Sequence, residues 1–352
     1  MRALKIYSAL FCSFLALASI SLIILGVHES PWGVFQILAK SSLGNWQEFS
    51  STLFYATPLF LTGLAVLIPY KAGLFNIGAE GQLYMGAVGA IIWGNFATDH
   101  ILMQNSSIPA QVLVLLGGFC ISALCGAAYS AIAGALKVYR GVHEVISTIM
   151  LNFISMATCN WFILNIAKNP ETQSVETKWI HESVRLPRVS QNLPWSFFIA
   201  LALAVLVIYS IKKLSLGYRV RASGLNANAA RIAGISVPET LLSAMTFGGA
   251  MAGLVGFHEI YFSSYRLMDS FSPLLGFTGI AISMMSGGSL PGFMLSTFFF
   301  AALHKGTLDL DLETDHITRD ISFLIQAIFL IAVAVYPQIT ERLKAFKQRV
   351  GK

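Results

Sequence analysis

Apolar runs long enough to cross a lipid bilayer recur along the whole sequence, and this feature restricts the fold more than any other. A transmembrane helix needs about 20 apolar residues to cross the ~30 Å hydrocarbon core. Of the 352 residues, 55% are hydrophobic and only 11% are charged, whereas an average soluble domain has about 25% charged residues. We therefore predict an all-α polytopic membrane protein, because lipid must be its main outer solvent.

About ten spans fit this pattern, and three of them are short or interrupted by glycine. The predicted spans are 6–27, 51–69, 79–97, 110–136, 144–166, 195–211, 239–262, 272–286, 291–304 and 318–336. For 79–97, 272–286 and 291–304 a full crossing and a broken or re-entrant segment both remain open. Residues 6–27 also resemble a signal peptide, but the apolar run continues past the A-x-A site and favours an uncleaved helix. All spans are assigned to one transmembrane domain over 1–352.

The orientation follows from the basic residues, which cluster at the ends of apolar runs. They form no stripe with interleaved aromatic residues, so the net charge of +6 does not indicate nucleic-acid binding. Because short cytoplasmic loops are rich in Lys and Arg, both termini are predicted to be cytoplasmic, with a cytoplasmic loop at 212–238 and a cytoplasmic tail at 338–352. Residues 167–195 mix both charge signs without a basic excess, and are predicted to form an external loop.

Polar residues inside apolar segments are the candidates for a substrate pathway, because such side chains are costly against lipid. The glycine-rich stretch "KAGLFNIGAEGQLYMGAVGA" at 71–90 contains several of them. One interpretation is a broken helix that lines a cavity; the other is a packing seam of small residues with an interfacial glutamate. Two further asparagines lie eight residues apart and share one helix face. The candidate pathway residues are Asn76, Glu80, Gln82, Asn152 and Asn160. For Asn152 a hydrogen bond between helices remains an equal alternative.

The loop "SLGYRVRASGLNANAARIAGISVP" at 215–238 is polar and long for a connection between spans. Small residues at helical spacing predict a short amphipathic helix between Asn226 and Gly234. Its smooth face, formed by Ala229, Ala230 and Ala233, suits contact with another protein. An ordinary basic loop on anionic lipid is the alternative.

Signatures of catalysis are missing from the sequence. No G-x-x-x-x-G-K-[ST] stretch occurs, so the chain lacks the usual phosphate-binding loop. The acidic segment near Asp309 lacks the glycine of a calcium loop, and the four cysteines show no metal-ligand spacing. We predict no catalytic residues, no metal and no cofactor.

Four motifs in order carry a resemblance to a known family. "NAARIAGISVP" is similar to the coupling loop of ATP-binding-cassette importer permeases, E-A-A-x-x-x-G, with Asn228 in place of the usual glutamate. "KAGLFNIGAEGQ", "GVHEVISTIMLNFI" and "LGFTGIAISMMSGGSLPG" resemble the nucleoside-type branch of the branched-chain amino acid and simple sugar permease family. The resemblance covers residues 50–336.

The resemblance implies the transmembrane subunit of an importer that moves a purine or pyrimidine nucleoside and is not itself an enzyme. It implies two cytoplasmic ATPase subunits, a second permease subunit in a heterodimer, an extracytoplasmic substrate-binding protein and a location in the bacterial plasma membrane. A simple sugar or a riboflavin-like solute remains the alternative substrate, and a secondary transporter the alternative class. The residues expected to couple the chain to the ATPase are Arg221, Gly224, Asn226, Asn228, Ala229, Ala230 and Gly234.

Overall fold

The computed structural model describes residues 2–103, 107–186, 188–190, 192–314 and 316–317, with scattered positions between 323 and 341. These ranges are mostly helical, which confirms the all-α class. The helices are α1 (Arg2–Gly26), α2 (Pro31–Leu43), α3 (Trp46–Lys71), α4 (Ala79–Ala97), α5 (Ile108–Arg140), α6 (Glu144–Phe162), α7 (Trp195–Lys213), α8 (Ser215–Leu225), α9 (Ala227–Ile232), α10 (Val237–His258), α11 (Leu275–Met285) and α12 (Leu290–Glu313).

Three helices end in a π-helical turn. These turns are Thr98–Leu102 after α4, Ile163–Ala167 after α6 and Glu259–Ser263 after α10. The predicted external loop at 167–195 contains a 3₁₀ turn at Glu182–Val184 and a small antiparallel pair of strands, β1 (Arg188–Ser190) and β2 (Leu193–Pro194).

Five helical segments in the described ranges are long and apolar enough to cross a membrane. They are Trp46–Lys71, Ile108–Arg140, Glu144–Ala167, Trp195–Lys213 and Val237–Ser263, and they contain the predicted spans 51–69, 110–136, 144–166, 195–211 and 239–262. A sixth candidate is the helix pair Phe14–Gly26 and Pro31–Leu43, which has a bend of 112° between its two helices. The prediction missed α2 in this pair, although Ser30 caps it from the position before Pro31.

The three short spans differ from one another. Helix α4 has the predicted bounds 79–97 and is continuous. Helix α11 has only 11 residues, about 16 Å of helix, which is half the ~30 Å hydrocarbon core. Helix α12 runs past the predicted end at residue 304 to Glu313. Most of the tenth span, 318–336, and of the tail at 338–352 lies outside the described residues.

The chain divides into two compact units, residues 1–56 with 298–352 and residues 57–297. In the first unit Lys305 pairs with Glu48 at 3.0 Å and with Asp309. In the second unit α4 is the central element, since 14 of its 19 residues are buried. It packs against α5, α6 and α10. That the whole chain forms one domain stays a prediction.

Glycines allow α4, α5 and α10 to approach one another closely. Gly86 of α4 faces Gly253 of α10, and Gly126 of α5 faces the same turn of α10. A Cβ at Gly253 would collide with the main chain at Ser122 and lie 3.1 Å from Gly126 Cα. Dispersion contacts between the closely packed main chains hold such seams together. Burying larger apolar side chains would gain little, because the surrounding lipid tails are equally apolar.

We predict that Gly253→Ala lowers the thermal stability of the detergent-solubilised protein, because overpacking costs about 1–3 kcal/mol. Gly26→Ala is the matched control, since a Cβ there meets no atom within 4 Å. The measurement is a thermal unfolding curve monitored by size-exclusion chromatography. Equal stability of Gly253→Ala and the wild type would contradict the seam described above.

Candidate functional site

In the stretch at 71–90 the helical structure is interrupted before α4, and α4 itself is continuous. Residues 72–78 leave the helix, and Gly73 adopts φ +83°, a left-handed conformation that favours glycine. The connection then folds back along α3, because Asn76 Nδ2 donates to Ala65 O at 3.1 Å. Since Ala65 lies six residues before Lys71, α4 begins about 9 Å inside the end of α3.

Two carboxamides close this connection. Asn76 and Gln82 exchange two hydrogen bonds of 3.0 Å, with each side-chain nitrogen donating to the other side-chain oxygen. Asn76 Oδ1 also accepts from Gly78 N at 3.0 Å. Gln82 Nε2 donates to Ser130 Oγ of α5 at 3.1 Å, and that hydroxyl donates to Met245 O of α10 at 2.7 Å. One network therefore joins α3, α4, α5 and α10.

Asn152 of α6 completes the first turn of α4. Its Oδ1 accepts from Gly81 N at 2.8 Å, and its Nδ2 donates to Ile77 O at 3.0 Å. This matches the predicted alternative of a hydrogen bond between helices, and a pathway role for Asn152 stays a prediction. Asn160, on the same predicted face, is partly exposed and makes no side-chain hydrogen bond within the described ranges.

The polar network lies far from the helix ends. Asn152 is eight residues from the start of α6 and Ser130 is ten residues from the end of α5, which correspond to about 12 Å and 15 Å along the helices. The hydrocarbon core is ~30 Å thick. The predicted residues Asn76, Gln82 and Asn152 therefore meet near the middle of the bilayer that these helices can span.

Glu80 lies beside this network at the N-terminus of two helices. The side chain belongs to the first turn of α4, and its Oε2 accepts from Gly276 N, in the first turn of α11, at 2.7 Å. Carboxylates are stabilising at helix N-termini, where the helix dipole is positive. Gly276 is required here because a Cβ would collide with the Glu80 main chain. Within the described ranges Glu80 belongs to no metal-binding group of three His, Cys, Asp or Glu residues.

The predicted short helix between Asn226 and Gly234 is confirmed as α9. Asn226 Oδ1 accepts from Ala229 N at 3.0 Å and caps its start. Gly234, at φ +79°, ends it as a left-handed residue. The preceding α8 was not predicted, because its 11-residue sequence is polar and forms no apolar run.

The surface of α9 differs from the predicted alanine face. Ala229 and Asn228 are exposed, but Ala230 is buried, since it faces the inner side of the loop. Two apolar side chains that were not predicted to be exposed lie at the ends of α8 and α9: Leu225 and Ile232 are 88% and 89% exposed. Their spacing of seven residues could have indicated a shared apolar face. Asn226 lies between them, however, and separates them into two helices.

Helix α8 connects this exposed segment to the break before α4. A Cβ at Gly73 would lie 3.2 Å from Gly224 Cα, and a Cβ at Gly224 would lie 2.9 Å from Gly73 N. The two main chains are therefore in direct contact. Arg221, one turn earlier on α8, has a buried Nη1 atom with no hydrogen-bond partner in the described part of the chain.

Several known proteins are similar to this chain in amino-acid sequence. A family model described as the permease component of branched-chain amino acid transport systems matches residues 49–334. The guanosine ABC transporter permease of Bacillus subtilis is 31% identical over 335 residues, which cover 93% of this chain and 92% of that protein. The nucleoside ABC transporter permease of Lactococcus lactis is 31% identical, covering 90% and 86%. The glucose ABC transporter permease of Haloferax volcanii is 30% identical, covering 83% and 77%.

We predict that Asn152→Ala destabilises the protein, because it leaves Gly81 N and Ile77 O buried without partners. Each such group costs about 1–3 kcal/mol. Asn160→Ala on the same helix is the control, and it should change stability by at most about 0.5 kcal/mol. Thermal unfolding of both variants in one detergent provides the comparison. Equal effects of the two substitutions would contradict the structural role of Asn152.

Proposed function

The chain belongs to the family of permease components of branched-chain amino acid transport systems, and from this premise we propose that it is the transmembrane subunit of an ATP-binding-cassette importer for a nucleoside. The exposed apolar pair at α9 is the observation that carries the importer role. The nucleoside substrate is supported by the guanosine and nucleoside permeases that are each 31% identical to this chain.

The segment from Leu225 to Gly234 suits docking in a groove of a partner protein. Leu225 and Ile232 expose nearly their whole side chains, and burying apolar area is worth about 25 cal/mol per Å². Arg231, exposed between them, adds a charge that can pair at the rim of the interface. In the proposal this segment, which includes Asn226 and Asn228, couples the chain to a cytoplasmic ATPase. Arg221 and Gly224 of α8 contribute to the same coupling.

The remaining parts of the importer are proposed from the same role. The sequence lacks a phosphate-binding loop, so two separate ATPase subunits supply ATP hydrolysis and this chain is not an enzyme. A second permease subunit forms a heterodimer with it, and an extracytoplasmic binding protein delivers the nucleoside. The chain lies in the plasma membrane of a bacterial cell with both termini in the cytoplasm, as the basic loops indicate.

The substrate pathway is proposed to pass the polar residues near the middle of the bilayer. In the present conformation Asn76 and Gln82 bond each other, and Asn152 bonds the main chain at Gly81 and Ile77. Glu80 and Asn160 are the other candidates. A simple sugar is the second candidate substrate, because the glucose permease of Haloferax volcanii is 30% identical to this chain.

We predict that deleting the gene abolishes uptake of labelled nucleosides while uptake of ribose, glucose and riboflavin is retained. Re-expression of the chain from a plasmid should restore uptake and serves as the control. The measurement is the initial uptake rate of each labelled solute in intact cells. Unchanged nucleoside uptake, with loss of one of the other solutes, would contradict the nucleoside assignment but not the importer role.

We predict that Ile232→Asp uncouples transport from ATP hydrolysis, because an aspartate in place of a docked apolar side chain must be desolvated. Leu312→Asp is the matched control, since Leu312 is 82% exposed but belongs to α12 and not to the segment from Leu225 to Gly234. Substrate-stimulated ATPase activity of the purified importer should fall in the first variant and remain in the second. Full stimulation in Ile232→Asp would remove α9 from the docking surface.

The pair Gly234→Val and Gly141→Val tests the same segment through its backbone. Both glycines have positive φ, +79° and +68°, and neither has an atom within 4 Å of a built Cβ. The two substitutions therefore cost the same kind of strain, about 1–2 kcal/mol. We predict that only Gly234→Val reduces transport at equal expression. Equal loss in both variants would indicate a general folding defect.

A further inference from the structure

Two buried polar atoms on one face of α4 have no partner within the described residues. They are Glu80 Oε1 and the Tyr84 hydroxyl oxygen. The side chains lie four residues apart, hence on the same helix face, and their residues are 2% and 1% exposed. The hydrogen bond from Gly276 N satisfies Oε2 of Glu80 but leaves Oε1 without a donor. Since unpaired buried polar groups are rare and costly, this pair requires an explanation.

An irregular segment covers the pair. We call residues 265–274 the strap. Four non-glycine residues in the described chain have positive φ, and three of them are in the strap: Tyr265 at 59°, Ser270 at 54° and Leu274 at 61°. Side chains with a Cβ are strained in this region of backbone conformation. Such strain persists only where the surroundings impose it, and it concentrates at binding sites and switch segments.

The outer end of the strap is fixed to the predicted external loop. Thr177 N donates to Leu267 O at 2.9 Å, and Leu267 N donates to Thr177 Oγ1 at 3.0 Å. Arg266 forms an ion pair of 2.9 Å with Glu176, which is buried. Beyond the strap the chain is fixed by the bond from Gly276 to Glu80. The strap therefore joins two anchored ends.

The middle of the strap rests on the unpaired atoms. The Phe271 ring packs on the Tyr84 ring, with centroids 4.7 Å apart. The Ser272 side chain approaches the Glu80 carboxylate, and its main chain approaches the Tyr84 hydroxyl, but neither contact has the geometry of a hydrogen bond. The strap thus supplies an aromatic ring to this place but leaves its polar atoms unsatisfied.

We propose that Glu80 Oε1 and the Tyr84 hydroxyl form a nucleoside-binding site that the strap covers, with the Phe271 ring in the position that the base takes when the strap moves. The inference rests on the proposed nucleoside importer. A carboxylate accepts N–H and O–H groups, which the base and the ribose both carry, and the phenol can donate or accept. A planar base can pack on the Tyr84 ring, which Phe271 now contacts at an interplanar angle of 55°.

The depth of the site agrees with this role. Glu80 immediately precedes Gly81, which is bonded to Asn152 near the middle of the bilayer. Helix α11 begins at the same place and is half the length of a crossing. Irregular backbone at this depth is tolerated only where protein covers it or where it lines a cavity. Ionisable residues at this depth mark substrate paths more often than they serve packing alone.

The test uses the complete purified importer in proteoliposomes, with binding protein outside and ATP inside, and three variants of this chain. Tyr84→Phe removes only an unpaired hydroxyl, so it should not lower thermal stability. Glu80→Gln can keep the bond from Gly276 through its carbonyl oxygen, while it turns the free acceptor into a donor. Tyr129→Phe is the control, because it removes a hydroxyl that donates to Leu151 O at 2.7 Å.

We expect Glu80→Gln to lower uptake of subsaturating guanosine by about tenfold, the loss typical of one charge-assisted hydrogen bond. Its ratio of guanosine to adenosine uptake should change, because the two bases present different donors. Tyr84→Phe should change the same ratio, and Tyr129→Phe should lower stability but keep the ratio.

Wild-type uptake of nucleosides with unchanged ratios in both Glu80→Gln and Tyr84→Phe would overturn the site and leave the importer role intact. If Glu80→Gln fails to fold, Tyr84→Phe alone decides between these outcomes. A wild-type importer that moves no nucleoside would overturn the proposed function, and this site with it.

Discussion

The main chain between α3 and α4 leaves its helix inside the membrane, and the partners that its polar groups find there determine the rest of the structure. In hydrocarbon no water can satisfy a free carbonyl or amide. Asn76 bonds Ala65 O and exchanges two hydrogen bonds with Gln82, while Asn152 bonds Ile77 O and Gly81 N. Because these amides hold the connection folded back, α4 begins near mid-depth. Only from that position can Glu80 reach the start of α11.

The glycine seams and the polar network depend on each other. Ser130 can bond both Gln82 and the main chain of α10 only because α4, α5 and α10 lie close together. Gly86, Gly126 and Gly253 permit that approach by leaving no side chain in the way. The two interpretations of residues 71–90, a packing seam and a polar break, therefore describe different faces of one element. Glycines face α5 and α10, and carboxamides close the connection that precedes them.

Sequence reasoning recovered what depends on local pattern. The apolar runs predicted the class, the five clear spans and the bounds of α4, and the small residues at helical spacing between Asn226 and Gly234 predicted α9. It missed α2 and α8, because they have only 13 and 11 residues and neither forms an apolar run of spanning length. It also could not pair Gln82 with Ser130 or Asn152 with Gly81, because these partners are 48 and 71 residues apart in the chain. The burial of Ala230 was not predictable either, since a helix of six residues does not indicate which side faces the loop.

Direct contact between main chains links the exposed segment at α9 to the buried network. Gly224 of α8 touches the chain at Gly73 without an intervening side chain, so a shift of α8 cannot be absorbed by a change of rotamer. Gly73 in turn begins the connection that the Asn76 and Gln82 amides close. Close-packed interiors change between discrete arrangements more readily than they deform continuously. In the proposed importer, a docked ATPase that moves α8 would therefore act on the amide pair first, and through it on the position of α4 and Glu80.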